Sequence, residues 1–135
     1  VNAYLRTEEV GSMASYSSAV PEVREKLVEL QRKLAEKADV VMDGRDIGTV
    51  VLPDANVKVY LTASASTRAK RRYLELLEKG ETPNLSQIEQ KIMERDYQDM
   101  HREHSPLCQA EDAVLVDSSD MTIDEVVERI TSLCR

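Results

Sequence analysis

The stretch VVMDGRDIGTVVLP, residues 40–53, decides how this chain is read. DVVMD (39–43) is short, apolar and bounded by Asp, the pattern of a buried strand. It runs directly into Gly44-Arg45-Asp46, with a second glycine at Gly48. Glycine there allows a sharp turn or a close approach of backbone to a ligand. In open α/β sheets ligands sit beyond the carboxyl ends of the strands, so Gly44–Gly48 is expected at a binding edge.

Working outward, NVKVYLTA (56–63) and AVLVD (113–117) predict two further strands. Between and around them lie helical patterns. Residues 7–19 suit a short helix or loop. Pro21 opens a helix over 20–38, with Val23, Leu27, Leu30 and Leu34 at helical spacing. Ser66 is placed to cap a helix running to Lys79, with Gly80 at its end. After a turn at Pro83-Asn84, Ser86 and Glu89 form a capping box for a helix to about Arg102. Thr122 and Glu125 form another before a helix over 123–134. Strands separated by helices require right-handed crossovers, so the expected fold class is α/β with a parallel sheet.

Composition narrows the function. The 135 residues suit one domain, expected to bury roughly two-thirds of the surface its unfolded chain exposes. Hydrophobic residues are 41% and charged residues 32%, a globular composition. No apolar run reaches the roughly 18 residues of a membrane span. Residues 1–20 lack the basic start and apolar centre of a secretory leader, so the expected location is cytoplasmic, with Cys108 and Cys134 as free thiols. A net charge of −7, with 18 Lys and Arg dispersed among acids, argues against nucleic acid as partner.

The arginines carry more information by position. Arg95, Asp99 and Arg102 share one helical face, and Arg68, Arg71 and Arg72 share another. The plainer alternative is a pair of solvated faces with local Arg–Asp pairs. Lysine would serve that purpose, whereas the planar guanidinium fork suits phosphates and carbonyl edges. Together with Arg24, Arg45 and the glycine turn, the set suggests a phosphorylated ligand. The P-loop pattern G-x-x-x-x-G-K-[ST] is absent. His101, His104 and Cys108 have no zinc-site spacing and no second cluster, so no metal site is expected.

The segments ASYSSAVPEVREKLVELQRKLA, VVMDGRDIGTVVLPDANVKVYLTAS, RAKRRYLELLEKG, ERDYQDMHREHSPL and DAVLVDSS occur in an order that closely resembles bacterial cytidylate kinase. The resemblance covers essentially all of 1–135 and implies a P-loop nucleoside monophosphate kinase fold. It implies an incomplete one, without the first strand, P-loop and following helices, since Val1 falls inside the substrate-binding insertion. Residues of about 1–38 then correspond to the end of the CMP-binding region, about 39–65 and 103–135 to the core, and about 66–102 to the lid and flanking helices. The family's P-loop strand lies between the strands that DVVMD and NVKVYL supply, so this chain is expected to need that segment or another copy to complete its core.

The implied activity is transfer of the γ-phosphoryl group of ATP to CMP or dCMP, with Mg2+ accompanying ATP and no dedicated metal site in this chain. Alone the chain is expected to be inactive, the alternative being a CMP-binding module or a strand-edge oligomer. The resemblance assigns Arg24, Asp46 and Arg102 to the cytosine and Ser15, Arg95 and Asp99 to the sugar. It assigns Arg45 to the monophosphate, and Arg68, Arg71 and Arg72 to the lid over ATP. Arg45, Arg95, Arg71 and Arg72 are then the groups nearest the transferring charge. The resemblance further implies Asp43 as an outer partner of magnesium or of the P-loop.

Overall fold

The structure, a computed structural model, describes residues 3–135. The expectation attached to Val1 lies outside them. The elements are α1 (Glu8–Ser17), α2 (Pro21–Lys37), a π-helical turn (Ile47–Val51), β1 (Val59–Thr62), α3 (Ala65–Glu78), α4 (Leu85–His101), β2 (Val114–Asp117) and α5 (Ile123–Leu133). β1 and β2 pair in parallel, with Val59 opposite Val114 and Thr62 opposite Asp117. The α3–α4 hairpin lies in the connection between them, which a parallel pair requires.

Local chemistry explains most of the boundaries. Pro21 opens α2, where a missing N–H costs nothing. Thr7 caps α1 by accepting from the Val10 N–H. At α5 the Thr122 hydroxyl accepts from the Glu125 N–H at 3.2 Å, and the Glu125 carboxylate accepts from the Thr122 N–H at 2.7 Å. Gly80 ends the α3 turn with φ +77 and donates to the Leu77 carbonyl at 2.9 Å. The Glu81 N–H reaches the Leu76 carbonyl at 3.0 Å, which completes a Schellman motif.

Two caps differ from the sequence expectation. Ser64, not Ser66, caps α3 by accepting from the Thr67 N–H at 3.1 Å. Asn84, not Ser86, caps α4 by accepting from the Gln87 N–H at 3.0 Å. Ser64 and Asn84 have non-helical backbone with ψ of 150 and 114. Ser66 and Ser86 already lie inside the first turn, where a side chain no longer serves as the cap.

The larger correction concerns residues 39–43, which form no strand. Val41 is 100% exposed. A strand needs a neighbour to take its N–H and C=O groups, and among the described residues none lies beside this segment. The sheet therefore has two strands rather than three.

The expected depth of burial is not reached either. Buried apolar residues among those described are Val51, Ala63, Ala69 and Val116. The α2 stripe Leu27, Leu30 and Leu34 is exposed. The accessible surface is 10291 Å², against about 7,100 Å² for a compact protein of this mass.

Candidate functional site

The segment after residue 43 is where charge gathers. Gly44 leaves little room for a side chain: a Cβ on it would fall 2.9 Å from Ile47 Cγ1, which would have to shift. Asp46 then begins the π-turn, and its carbonyl accepts from the Val50 and Val51 N–H groups at 2.9 and 3.1 Å. That fixes the backbone from which the Asp46 side chain projects.

Asp46 is buried, and its carboxylate accepts from Arg24 Nη2 on α2. Arg24 Nη1 also donates to the Ser18 carbonyl at 3.2 Å, tying in the end of α1. Arg24 Nε is buried with no acceptor among the described residues. The neighbouring Arg45 turns elsewhere: its Nε donates to the Asp99 carboxylate at 3.0 Å. Asp99 is 6% exposed, on the last turn of α4. Charges of this kind stay buried only when paired.

Arg102 closes the group. It ends α4, and its Nε donates to the Ser105 carbonyl at 2.7 Å. Ser105 has φ 50 directly before Pro106, and the Leu107 N–H donates to the Asp99 carbonyl at 2.8 Å. Burial pulls the Arg102 guanidinium below its ordinary value, the Arg24 charge adds to that, and Asp99 and Asp46 oppose it. The cluster thus holds three guanidiniums against two carboxylates in a chain of net charge −7. Its chemistry is that of an anion acceptor with carboxylates beside it.

Arg68, Arg71 and Arg72 form a second group. Arg68 grips Asp96 of α4 through Nη1 and Nη2 at 2.9 and 2.5 Å, which raises its pKa further, and its Nε donates to the Ala63 carbonyl at 2.9 Å. Arg71 Nη2 donates to the Ser118 carbonyl at 2.6 Å. Ala63 and Ser118 directly follow β1 and β2, so both side chains lie at the carboxyl edge of the sheet. Arg72 turns toward the N-terminal part, donating to the Arg6 carbonyl at 2.9 Å and pairing with Glu75 at 2.9 Å. The Glu75 carboxyl is held below its usual range by Lys79 first and Arg72 next.

Three expected residues stand apart. Ser15 is half-buried on α1, and its hydroxyl joins no hydrogen bond among the described residues. Arg95 is exposed on α4, close to α1, where a Cβ on Gly11 would meet its Nη1 at 3.7 Å. Asp43 is exposed and forms no ion pair among the described residues. The local Arg95–Asp99 pair that helical spacing allows is not formed, because Asp99 is taken by Arg45. Arg32, which grips the π-turn, carried no signal in the sequence: it reads as one more charge on a charged helix.

Comparison with known proteins bears on the family. The cytidylate kinase family model matches residues 1–135. The cytidylate kinase of Lactobacillus johnsonii is 54% identical over 133 residues, covering 98% of this chain and 58% of that protein. That of Alkaliphilus metalliredigens is 51% identical over 130 residues, covering 96% and 59%. That of Geobacter sp. strain M21 is 53% identical over 128 residues, covering 95% and 55%. The chain therefore spans a little under three fifths of the length of the curated relatives it matches. A family model that takes in every residue, and identity above one half along nearly the whole sequence, show that the chain belongs to the cytidylate kinase family.

Proposed function

We propose that this chain supplies the nucleoside monophosphate side of an enzyme that moves the γ-phosphoryl group of ATP to CMP or dCMP, giving ADP and CDP or dCDP. The observation that carries the reading is the linked group Arg24, Asp46, Arg45 and Asp99, with Arg102 beside it. A cytosine offers one amine donor and, beside it, ring-nitrogen and carbonyl acceptors. Asp46 suits the amine, and Arg24 and Arg102 suit the acceptors. The buried Arg24 Nε, which has no acceptor among the described residues, supports a ligand there. Arg45 suits the monophosphate, and Asp99, with Ser15 and Arg95 near α1, suits the sugar hydroxyls.

Phosphoryl transfer asks the protein for positioning and for positive charge around the moving group. Arg68, Arg71 and Arg72 are the residues to provide it over ATP. The sequence has no P-loop pattern, so on this reading the ATP cradle comes from a segment outside these residues, and the chain alone is inactive. Mg2+ accompanies ATP, but no trio of His, Cys, Asp or Glu able to hold a metal occurs among the described residues. No step is therefore assigned to it on this chain's side chains.

A second reading, a CMP-binding module without catalysis, is favoured by the same cluster, since every member of it lies on this chain. Calorimetric titration with CMP, with GMP as control, tests the site. Heat beyond dilution for CMP alone supports it, and equal or no heat for both removes it. A coupled ADP-release assay with ATP and CMP tests the inactivity that both readings expect: turnover by this chain alone overturns it.

A further inference from the structure

Arg32 belongs to neither arginine group. It sits on α2, and its Nε donates to the Val51 carbonyl at 2.8 Å and its Nη2 to the Val50 carbonyl at 2.6 Å. These are the last carbonyls of the π-turn, and the last carbonyls of a helical turn have no donor within it. At the start of the same turn, the Asp46 and Ile47 carbonyls are taken by the N–H groups of Val50, Val51 and Leu52. The backbone at Asp46 is thus set by a hydrogen-bonded ring that Arg32 closes from the far side. Val51 itself, the last residue of the turn, is buried at 1% exposure.

Arg24 and Arg32 are eight residues apart on α2, about 12 Å along its axis. One takes the Asp46 carboxylate and the other takes the turn's end. The choice of residue fits the task, because two adjacent carbonyls need two donors in a plane. Two lysines of the same helix, Lys26 and Lys33, instead pair with Glu29.

We propose that Arg32 is a positioning residue: its guanidinium clamps the Val50 and Val51 carbonyls and thereby holds the Asp46 carboxylate where it reads a cytosine amine. The clamp stands on geometry alone, and its effect on selectivity rests on the proposed cytosine role of Asp46.

The test uses Arg32→Met, which keeps the apolar stem and removes both donors, and Arg32→Lys, which keeps the charge with one donor point. Amide hydrogen exchange is measured without nucleotide, and CMP and UMP affinities by calorimetry. In Arg32→Met the Val50, Val51 and Leu52 amides are expected to exchange about tenfold faster, with α3 and α4 unchanged. The preference for CMP over UMP is expected to fall about fivefold, with Arg32→Lys in between. Unchanged exchange at Val50–Leu52, or acceleration spread equally over α3 and α4, overturns the clamp. A loosened turn with an unchanged CMP preference overturns the positioning of Asp46. Should the unmodified chain bind CMP and UMP alike, the cytosine reading of Asp46 falls, and the exchange rates alone decide the clamp.

Discussion

The Arg45 guanidinium meets the Asp99 carboxylate at 3.0 Å, joining the turn after residue 43 to the end of α4 across 54 positions of sequence. Arg45 and Asp46 are adjacent, yet their side chains take partners on different helices, Asp99 on α4 and Arg24 on α2. One dipeptide therefore ties α2 to α4. Through this bridge Arg24, Asp46, Arg45 and Asp99 become one connected group, with Arg102 beside it.

Asp46→Ala removes the partner of a largely buried guanidinium. The expected loss is about 3 kcal/mol of folding stability, because Arg24 is left as an unpaired buried charge. Arg24→Met combined with Asp46→Leu is expected to recover more than half of it. Urea midpoints of the single and double variants check this, and additive losses would contradict it. Under the proposed function Asp46→Ala also weakens CMP by about 10- to 100-fold and UMP less, since uracil has no exocyclic amine.

Val41 offers a test of whether residues 39–43 pair with a strand from outside these residues. In this chain the residue is fully exposed, so Val41→Ser is expected to change stability by less than about 0.5 kcal/mol. In a longer polypeptide with a P-loop strand paired to residues 39–43, the same change buries a hydroxyl and costs about 2 kcal/mol. Equal effects in the two backgrounds would contradict the pairing.

Gly80 sits at φ +77 with open space around the position of a Cβ. Gly80→Ala is thus limited to the backbone term, a loss of about 1 kcal/mol in thermal unfolding, and Gly80→Asn should cost less. A neutral Gly80→Ala would mean that the Schellman motif does not persist in solution.

Glu29 reports on α2. Its carboxyl is lowered from 4.5 to about 2, first by the Lys33 hydrogen bond and then by Lys26. A folded pKa below the unfolded one contributes stability above pH 4.5, which is lost as the pH falls through about 2. Side-chain carboxyl NMR should find its midpoint near 2, and Lys33→Ala should move it upward. An unshifted midpoint in the unmodified chain would dismiss the pairing as a feature of the solution state.

What the sequence made legible follows from where the causes lie. α2, α5 and the end of α3 are set by Pro21, by the Thr122–Glu125 box and by Gly80, all local causes. The parallel pairing of β1 with β2 follows from the helices between them. Residues 39–43 have the same apolar pattern as β1, but strand formation needs a neighbour, which no local pattern supplies. Ser64 against Ser66, and Asn84 against Ser86, differ only in which residue keeps extended backbone. The charged members of the cluster were visible singly, Asp46 and Asp99 included. Their partners were not, because pairings across 22 and 54 positions leave no periodic trace. Arg32 is the extreme case, as its acceptors are backbone carbonyls and carry no residue identity.

The pairing of Arg45 with Asp99 and of Arg24 with Asp46 means that the site carries its own counter-ions. Under the proposed function a nucleotide enters by swapping partners: its phosphate displaces Asp99 from Arg45, and the freed carboxylate turns to a sugar hydroxyl. The affinity measured is then a difference between two sets of charge contacts. Added salt weakens both sets, so binding should depend on ionic strength less steeply than the number of arginines suggests.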